Sequence, residues 1–425
     1  MKTVKTLWVR LIMIGGLLHA GSACFAQSPW TQKADMHTAR KSHSSCVLDG
    51  KIYVIGGKGT SATFTSMEVY DPVTDTWDAT KADMAEARCR FSCYVIDGKI
   101  LAIGGSVKSE SDPIISIEEY DTVSDSWSHK TDMPRERIGP TAAVVHNKIY
   151  VIGGFRVPGN YIPIPEVDVY DLQTGEWTTA ADLKTPRWFA ASVVVNDKIY
   201  VMGGEKAQPW NGLPTVEAYD PATDTWSTKA DMITGRKSLA ACVVDDMIYV
   251  FGGSNAYCSG ILSSVEIYDP LMDSWEDRTN MPSILGDPSA DLLNGKIYVS
   301  GGSIEACPSN PVKTMYEYDP ALDPMGIEVI ADHIQQMPGE FLLNQNYPNP
   351  FNPSTTIWFD LPEPGEVTLK VFTLLGEEVE TLISRRMHAG QHQVLWNGGN
   401  HSAGIYLIRL EAGGFVQSRK MIVMK

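Results

Sequence analysis

Short apolar runs ending in paired glycine recur along the first three quarters of the chain. They read KIYVIGG at 51–57, KILAIGG at 99–105, KIYVIGG at 148–154, KIYVMGG at 198–204, MIYVFGG at 247–253 and KIYVSGG at 296–302. The pairs therefore repeat every 48 to 50 residues, a period that marks a repeat architecture. Each unit has the same four parts. A run of small and β-branched residues comes first (SSCVLDG, TAAVVHN, AASVVVN), followed by the glycine-terminated run. A third stretch ends at Tyr70, Tyr120, Tyr170, Tyr219, Tyr268 or Tyr318, and a fourth carries Trp77, Trp127, Trp177, Trp226 or Trp275. All four are short and bounded by Asp, Gly and Pro, as in DPVTDTW and DPATDTW, which predicts four antiparallel strands per unit.

Such a sheet cannot bury both faces alone, whereas six arranged radially can, so the pattern predicts an all-β, six-bladed propeller. Small first strands suit the crowded axis, and the tryptophan of each last strand is apolar surface for covering the neighbouring blade. The sixth unit ends at EYDPALDP without a tryptophan strand. The segment PWTQKADM near the N-terminus matches TWDATKADM and TWSTKADM, so residues 29–33 are expected to supply the outer strand of blade six.

The double glycine, the following tyrosine and the later tryptophan, as in Gly56-Gly57, Tyr70 and Trp77, resemble the Kelch repeat across residues 29–320. The resemblance implies a propeller used for binding, although Kelch propellers also include galactose-oxidase-like copper enzymes and sialate mutarotases. A phosphate-loop reading of GGKGTS fails because no helix follows the glycines.

The repeat stops after Asp323, and residues 321–340 read as an irregular linker. Beyond it, a Pro/Asn-rich entry precedes alternating runs TTIWFDL, EVTLKVF, HQVLWN, GIYLIRL and SRKMIVMK, which predict an Ig-like β-sandwich over 341–425. Asn346-Tyr347-Pro348-Asn349-Pro350-Phe351-Asn352-Pro353, Leu375-Gly376, Trp396, Gly404-Ile405-Tyr406 and the basic end at Lys420 and Lys425 resemble the type A C-terminal sorting domain of type IX secretion cargo. That resemblance implies the secretion machinery as a partner and a final location outside the cell or on its surface, reached through the periplasm.

The N-terminus agrees with export. Lys2, Lys5 and Arg10 precede the apolar LIMIGGLLHAGSA, and CFAQ offers a cleavage site after Ala26, so residues 1–26 read as a signal peptide. Lipid attachment at Cys24 is the alternative, disfavoured by Gly21 where such signals prefer Leu. The apolar run is too short to span a membrane, which takes about 20 residues. A net charge of −16 without a Lys/Arg stripe excludes a nucleic-acid partner. Among the remaining cysteines, Cys46 and Cys242 sit in apolar strands and read as buried thiols, and Cys89 and Cys93 are too far apart in extended chain to bond each other. Cys258 and Cys307, each five residues after its glycine pair in successive units, are the candidate disulfide, with two free thiols as the alternative.

Strand order places the loops after Gly-Gly and after Asp-Met on one face, the expected binding face. An arginine recurs there at Arg40, Arg88, Arg137, Arg187 and Arg236, while the sixth unit has Leu285 with Asp287 nearby. Five guanidiniums converging on a channel mouth would grip carboxylates or sulfates. Alternatively they tie adjacent loops together through carbonyls and the repeated Asp35, Asp83, Asp132, Asp182 and Asp231. Non-repeating Phe155, Tyr161, Trp188, Trp210 and Tyr257, with Glu205 nearby, suit stacking on sugars or gripping peptide side chains. Scattered His37, His43, His129 and His146 form no copper set, and neither a metal site nor another cofactor is expected. The expectation is a non-catalytic propeller binding a glycan or a protein on its loop-rich face. The alternatives are a mutarotase-like enzyme pairing Arg187 or Arg137 with Glu205, and a scaffold in a surface assembly.

Overall fold

The computed structural model describes residues 28–108, 112–156, 162–207, 210–257, 259–307, 309–323, 340–363, 365–374, 376–387 and 390–424. The signal peptide, most of the linker, Tyr161, Leu375, Cys258 and Lys425 lie outside them. The chain divides into two compact units at Met325/Gly326.

The first unit is a ring of six four-stranded antiparallel sheets, each ordered from the axis outward. Blade one comprises Ser44–Leu48, Lys51–Ile55, Met67–Asp71 and Thr76–Asp78. The second strands are buried on both faces (Ile52, Val54 and Ile55 are fully covered), which is why KIYVI reads as an unbroken apolar run. Blade six takes Ser289–Leu293, Lys296–Ser300 and Met315–Tyr318, then borrows Trp30–Lys33 as its outer strand, with Trp30 opposite Tyr318.

The paired glycines end each second strand with two consecutive left-handed residues. At Gly56 (φ 59°) a Cβ would lie 2.6 Å from the Arg88 carbonyl, and at Gly57 (φ 88°) 2.7 Å from the His43 Cβ. Only glycine fits where the next blade's incoming loop (at Gly56) and the chain entering the same blade (at Gly57) cross this closely.

Adjacent blades are clamped by one recurring device. At the junction of blades six and one, Asp75 accepts hydrogen bonds from the Tyr70 hydroxyl (2.7 Å) and the Ala34 N–H (2.9 Å), while Trp77 Nε1 donates to the Ala34 carbonyl (2.8 Å). Asp125, Asp224, Asp273 and Asp323 repeat the arrangement. At blade three Gly175 replaces the aspartate, and Trp177 Nε1 has no hydrogen-bond partner among the described residues.

The second unit packs a three-stranded sheet against a four-stranded one around Phe359, Val371, Trp396, Ile408 and Met421. Its strands include Glu378–Met387, which the sequence reading omitted. That segment alternates with polar Glu380, Ser384 and Arg386, and its pairing with Gly365–Thr373 is interrupted by register shifts.

Candidate functional site

The recurring arginines do not converge on the channel mouth. Arg40, Arg88, Arg137, Arg187 and Arg236 are at most 1 % exposed. Each guanidinium lies inside its own blade. Arg40 Nη1 donates to the carbonyls of Gly56 (2.7 Å) and Ser66 (3.0 Å), and Nη2 to Glu68 (2.7 Å). Arg88, Arg137, Arg187 and Arg236 repeat this with Glu118, Asp168, Glu217 and Glu266. These carboxylates also hold the incoming loop. Glu68 accepts the N–H groups of His37 and Thr38, and Glu217 those of Lys184 and Thr185. Burial alone would raise the Glu68 carboxyl, but the Arg40 charge and these hydrogen bonds outweigh it and hold it below the usual range.

The binding role expected of these arginines is corrected on this geometry, and their partners are third-strand carboxylates rather than the repeated loop aspartates. The sequence signal for that partner was present, because a Glu or Asp stands two residues before the tyrosine in blades one to five. In blade six the arginine and the carboxylate are both absent, replaced by buried Leu285 and Tyr316.

The mouth is built two residues further on. Ser42, Arg90, Gly139, Phe189, Ser238 and Asp287 occupy equivalent places in the six blades, all left-handed with φ between 51° and 62°. Their backbones form a running collar around the axis. Arg90 N–H donates to Ser42 O, Ser42 to Asp287, Asp287 to Ser238, Ser238 to Phe189 and Phe189 to Gly139, at 2.8–3.1 Å. The same position thus presents a hydroxyl, a cation, no side chain, a ring, a hydroxyl and an anion. The Arg90 guanidinium lies 4.1 Å from the Phe189 ring centroid, a cation–π distance. Burial would raise Asp287, yet the charges of Lys41 and Arg90 and the hydroxyls of Ser238 and Ser42 hold it low, so the mouth carries both signs of charge. Beneath the collar, a cavity of 430 Å³ runs between the innermost strands, lined by small residues such as Ser45, Ser92, Ala191, Ala241 and Ser289. The collar was missed because its backbone repeats while its side chains do not.

The expected aromatics come together beside this mouth. The first two strands of blade four, Trp188–Val195 and Lys198–Glu205, are long enough to place Trp188 opposite Glu205. Trp188 Nε1 donates to Glu205 (2.7 Å), which also pairs with Lys237. From Phe189 the rings continue through Phe155 (6.3 Å) and Trp188 (5.1 Å) to Trp210 (5.9 Å) and Tyr257 (6.4 Å). Phe155 and Trp188 are buried and act as foundation, whereas Trp210 is half-buried and Tyr257 is 66 % exposed. Lys237 Nζ sits 5.7 Å from the Tyr257 ring and donates to the Trp210 carbonyl. The enzyme-like pairing of Arg187 or Arg137 with Glu205 is corrected here too. Arg187 and Arg137 are committed to Glu217 and Asp168, and Glu205 to Trp188 and Lys237. Cys307 is disulfide-bonded, and its expected partner Cys258 lies outside the described residues. Among the described residues no cluster of His, Cys, Asp or Glu is placed to hold a metal, and no helix is long and apolar enough to cross a membrane.

Comparison with known proteins bears on both units. A model of the KLHDC2/KLHL20/DRC7 Kelch-repeats domain matches residues 22–154 and 90–302, and one of the secretion system C-terminal sorting domain matches residues 345–424. Beta-scruin of Limulus polyphemus is 44% identical over 54 residues, which are 12% of this chain and 6% of that protein. An F-box/kelch-repeat protein of Arabidopsis thaliana is 44% identical over 50 residues, 12% of this chain and 13% of its own. The chain thus spans only a small part of either relative. A solved structure titled "Structure of YjhT" superposes with a TM-score of 0.56 at 18% identity, covering 67% of this chain and 96% of that one, a likeness of fold.

Proposed function

The chain belongs to the Kelch-repeat domain family, and from that premise we propose that it is an exported, non-catalytic propeller that binds a protein or glycan across the collar and its aromatic flank. Kelch repeats are interaction modules, and the C-terminal sorting domain indicates type IX export to the surface or the medium. The observation that carries the binding site is the contrast between repeating and non-repeating positions. Residues that recur in most blades are buried in ion pairs and clamps, whereas Arg90, Phe189, Asp287, Trp210 and Tyr257 differ from their equivalents and share one face. Rings beside paired charges suit either a sugar face or a peptide with an anchoring side chain.

The test is to screen the secreted protein against a glycan array and against surface proteins of its own cells. Any ligand captured is then titrated against a variant carrying Arg90→Ala and Tyr257→Ala. An affinity loss of about tenfold or more, with unchanged melting temperature, is expected from losing two central contacts. Unaltered affinity would place the ligand elsewhere. The mutarotase alternative predicts faster equilibration of acidic sugar anomers than buffer alone, and such an acceleration would end the non-catalytic reading.

A further inference from the structure

Each junction between blades brings one residue of an innermost strand against a residue of the next blade's innermost strand. At the junction of blades six and one, Asp291 hydrogen-bonds the Ser45 hydroxyl. At that of blades two and three, the Tyr94 hydroxyl donates to the Ala142 carbonyl. Counting back from the glycine pairs, the same two positions at the junction of blades one and two are Cys46 and Cys93. Their strands, Ser44–Leu48 and Ser92–Ile96, lie side by side, and the Cys93 N–H donates to Ser44 Oγ at 2.9 Å. Cys46 and Cys93 belong to one apolar cluster, are 7 % and 6 % exposed, and both carry free thiols in the structure. In the other blades these positions hold pairs that cannot cross-link: Tyr94 with Ala142, Ala143 with Ser192, Val193 with Ala241, Cys242 with Ala290 and Asp291 with Ser45.

We propose that Cys46 and Cys93 form a disulfide that staples blade one to blade two when the chain folds in an oxidising compartment. The inference rests on the export indicated by the sorting domain for its setting, and on the adjoining strands that bring two cysteines to one blade junction for its chemistry. One thiolate attacks a disulfide of the oxidant and forms a mixed disulfide. The second thiolate displaces the oxidant's remaining sulfur. Two thiols are oxidised, one disulfide of the oxidant is reduced to two thiols, and no other co-reactant is consumed. The neighbouring Cys93 thiol and burial together lift the Cys46 thiol well above its ordinary range, which disfavours the thiolate and closes this exchange once the blades have met. Formation therefore accompanies folding, and the finished bond is shielded from reductant.

The experiment refolds the full chain from the reduced, unfolded state with oxidised glutathione as the oxidant. The product is then unfolded without reductant, alkylated and digested. The expected result is a linked peptide pair containing Cys46 and Cys93, lighter than the two free peptides by two hydrogen atoms. Cys89 and Cys242 are expected to be alkylated. Alkylation of both Cys46 and Cys93, or glutathione on either, in a product with a native melting transition overturns the proposal. So does a link from either one to another cysteine. As a second measurement, Cys46→Ser should leave Cys93 alkylated and lower the melting temperature under oxidising conditions only. An equal drop with and without reductant would mean packing alone, and would overturn it.

Discussion

Blade six shows what the buried arginine is for. Removing one member of a buried ion pair leaves a stranded charge, whereas replacing both by apolar groups is often neutral. Leu285 with Tyr316 is that double replacement, made inside the same molecule. Arg236→Leu should accordingly destabilise the propeller by about 3–5 kcal/mol by exposing Glu266 to burial without a partner, and adding Glu266→Tyr should recover most of it. Chemical denaturation of the two variants checks this. Asp291 makes a second prediction. Burial raises its carboxyl to about 7, and the Ser45 hydroxyl only partly offsets that. An acid held above its unfolded value of roughly 3.9 binds more protons when folded, so its penalty grows as pH climbs from about 4 to about 7 and then levels off. Asp291→Asn should therefore gain about 4 kcal/mol at pH 8 and nearly nothing at pH 4. A melting-temperature difference that is constant with pH would contradict this. At this scale the sequence exposed the recurring arginines but hid their burial, because periodicity reports position and not which way a long side chain turns.

The strand is the scale at which the sequence was most legible. Alternation, turn residues and the glycine pairs located the four strands of each blade, and the PWTQKADM match located the borrowed one. The strand Glu378–Met387 escaped because its exposed polar positions and its register shifts blur the two-residue period. The clamp between blades also has a gap that can be filled. Gly175 is left-handed at φ 74°, Asp75, Asp125, Asp224 and Asp273 take φ between 47° and 53° at the same place, and a Cβ on Gly175 would meet only the Tyr170 hydroxyl at 3.7 Å. Gly175→Asp should supply the missing acceptor for Tyr170 and raise stability by about 1 kcal/mol, a typical net value for one hydrogen bond. A thermal melt of this single variant suffices, and a lowered midpoint would show that blade three is built on another plan.

For the whole molecule, the two units carry separate instructions, one for recognition and one for destination. Deleting residues 341–425 should leave the propeller folded but held in the periplasm, as fractionation and immunoblotting would reveal; undiminished release would remove the sorting role. The borrowed strand has a further consequence, for the order of events in time. Trp30 meets Tyr318 only after nearly the entire propeller has been made, so the contact that completes the ring is the one most distant along the chain. Distant contacts are slow to form because the intervening chain must first be ordered. Blades one to five can assemble from neighbours as they emerge, while blade six waits, its third strand an open edge. Until Trp30–Lys33 docks, the molecule is an arc. The collar is then incomplete, so the face proposed for binding is the last part of the ring to be closed.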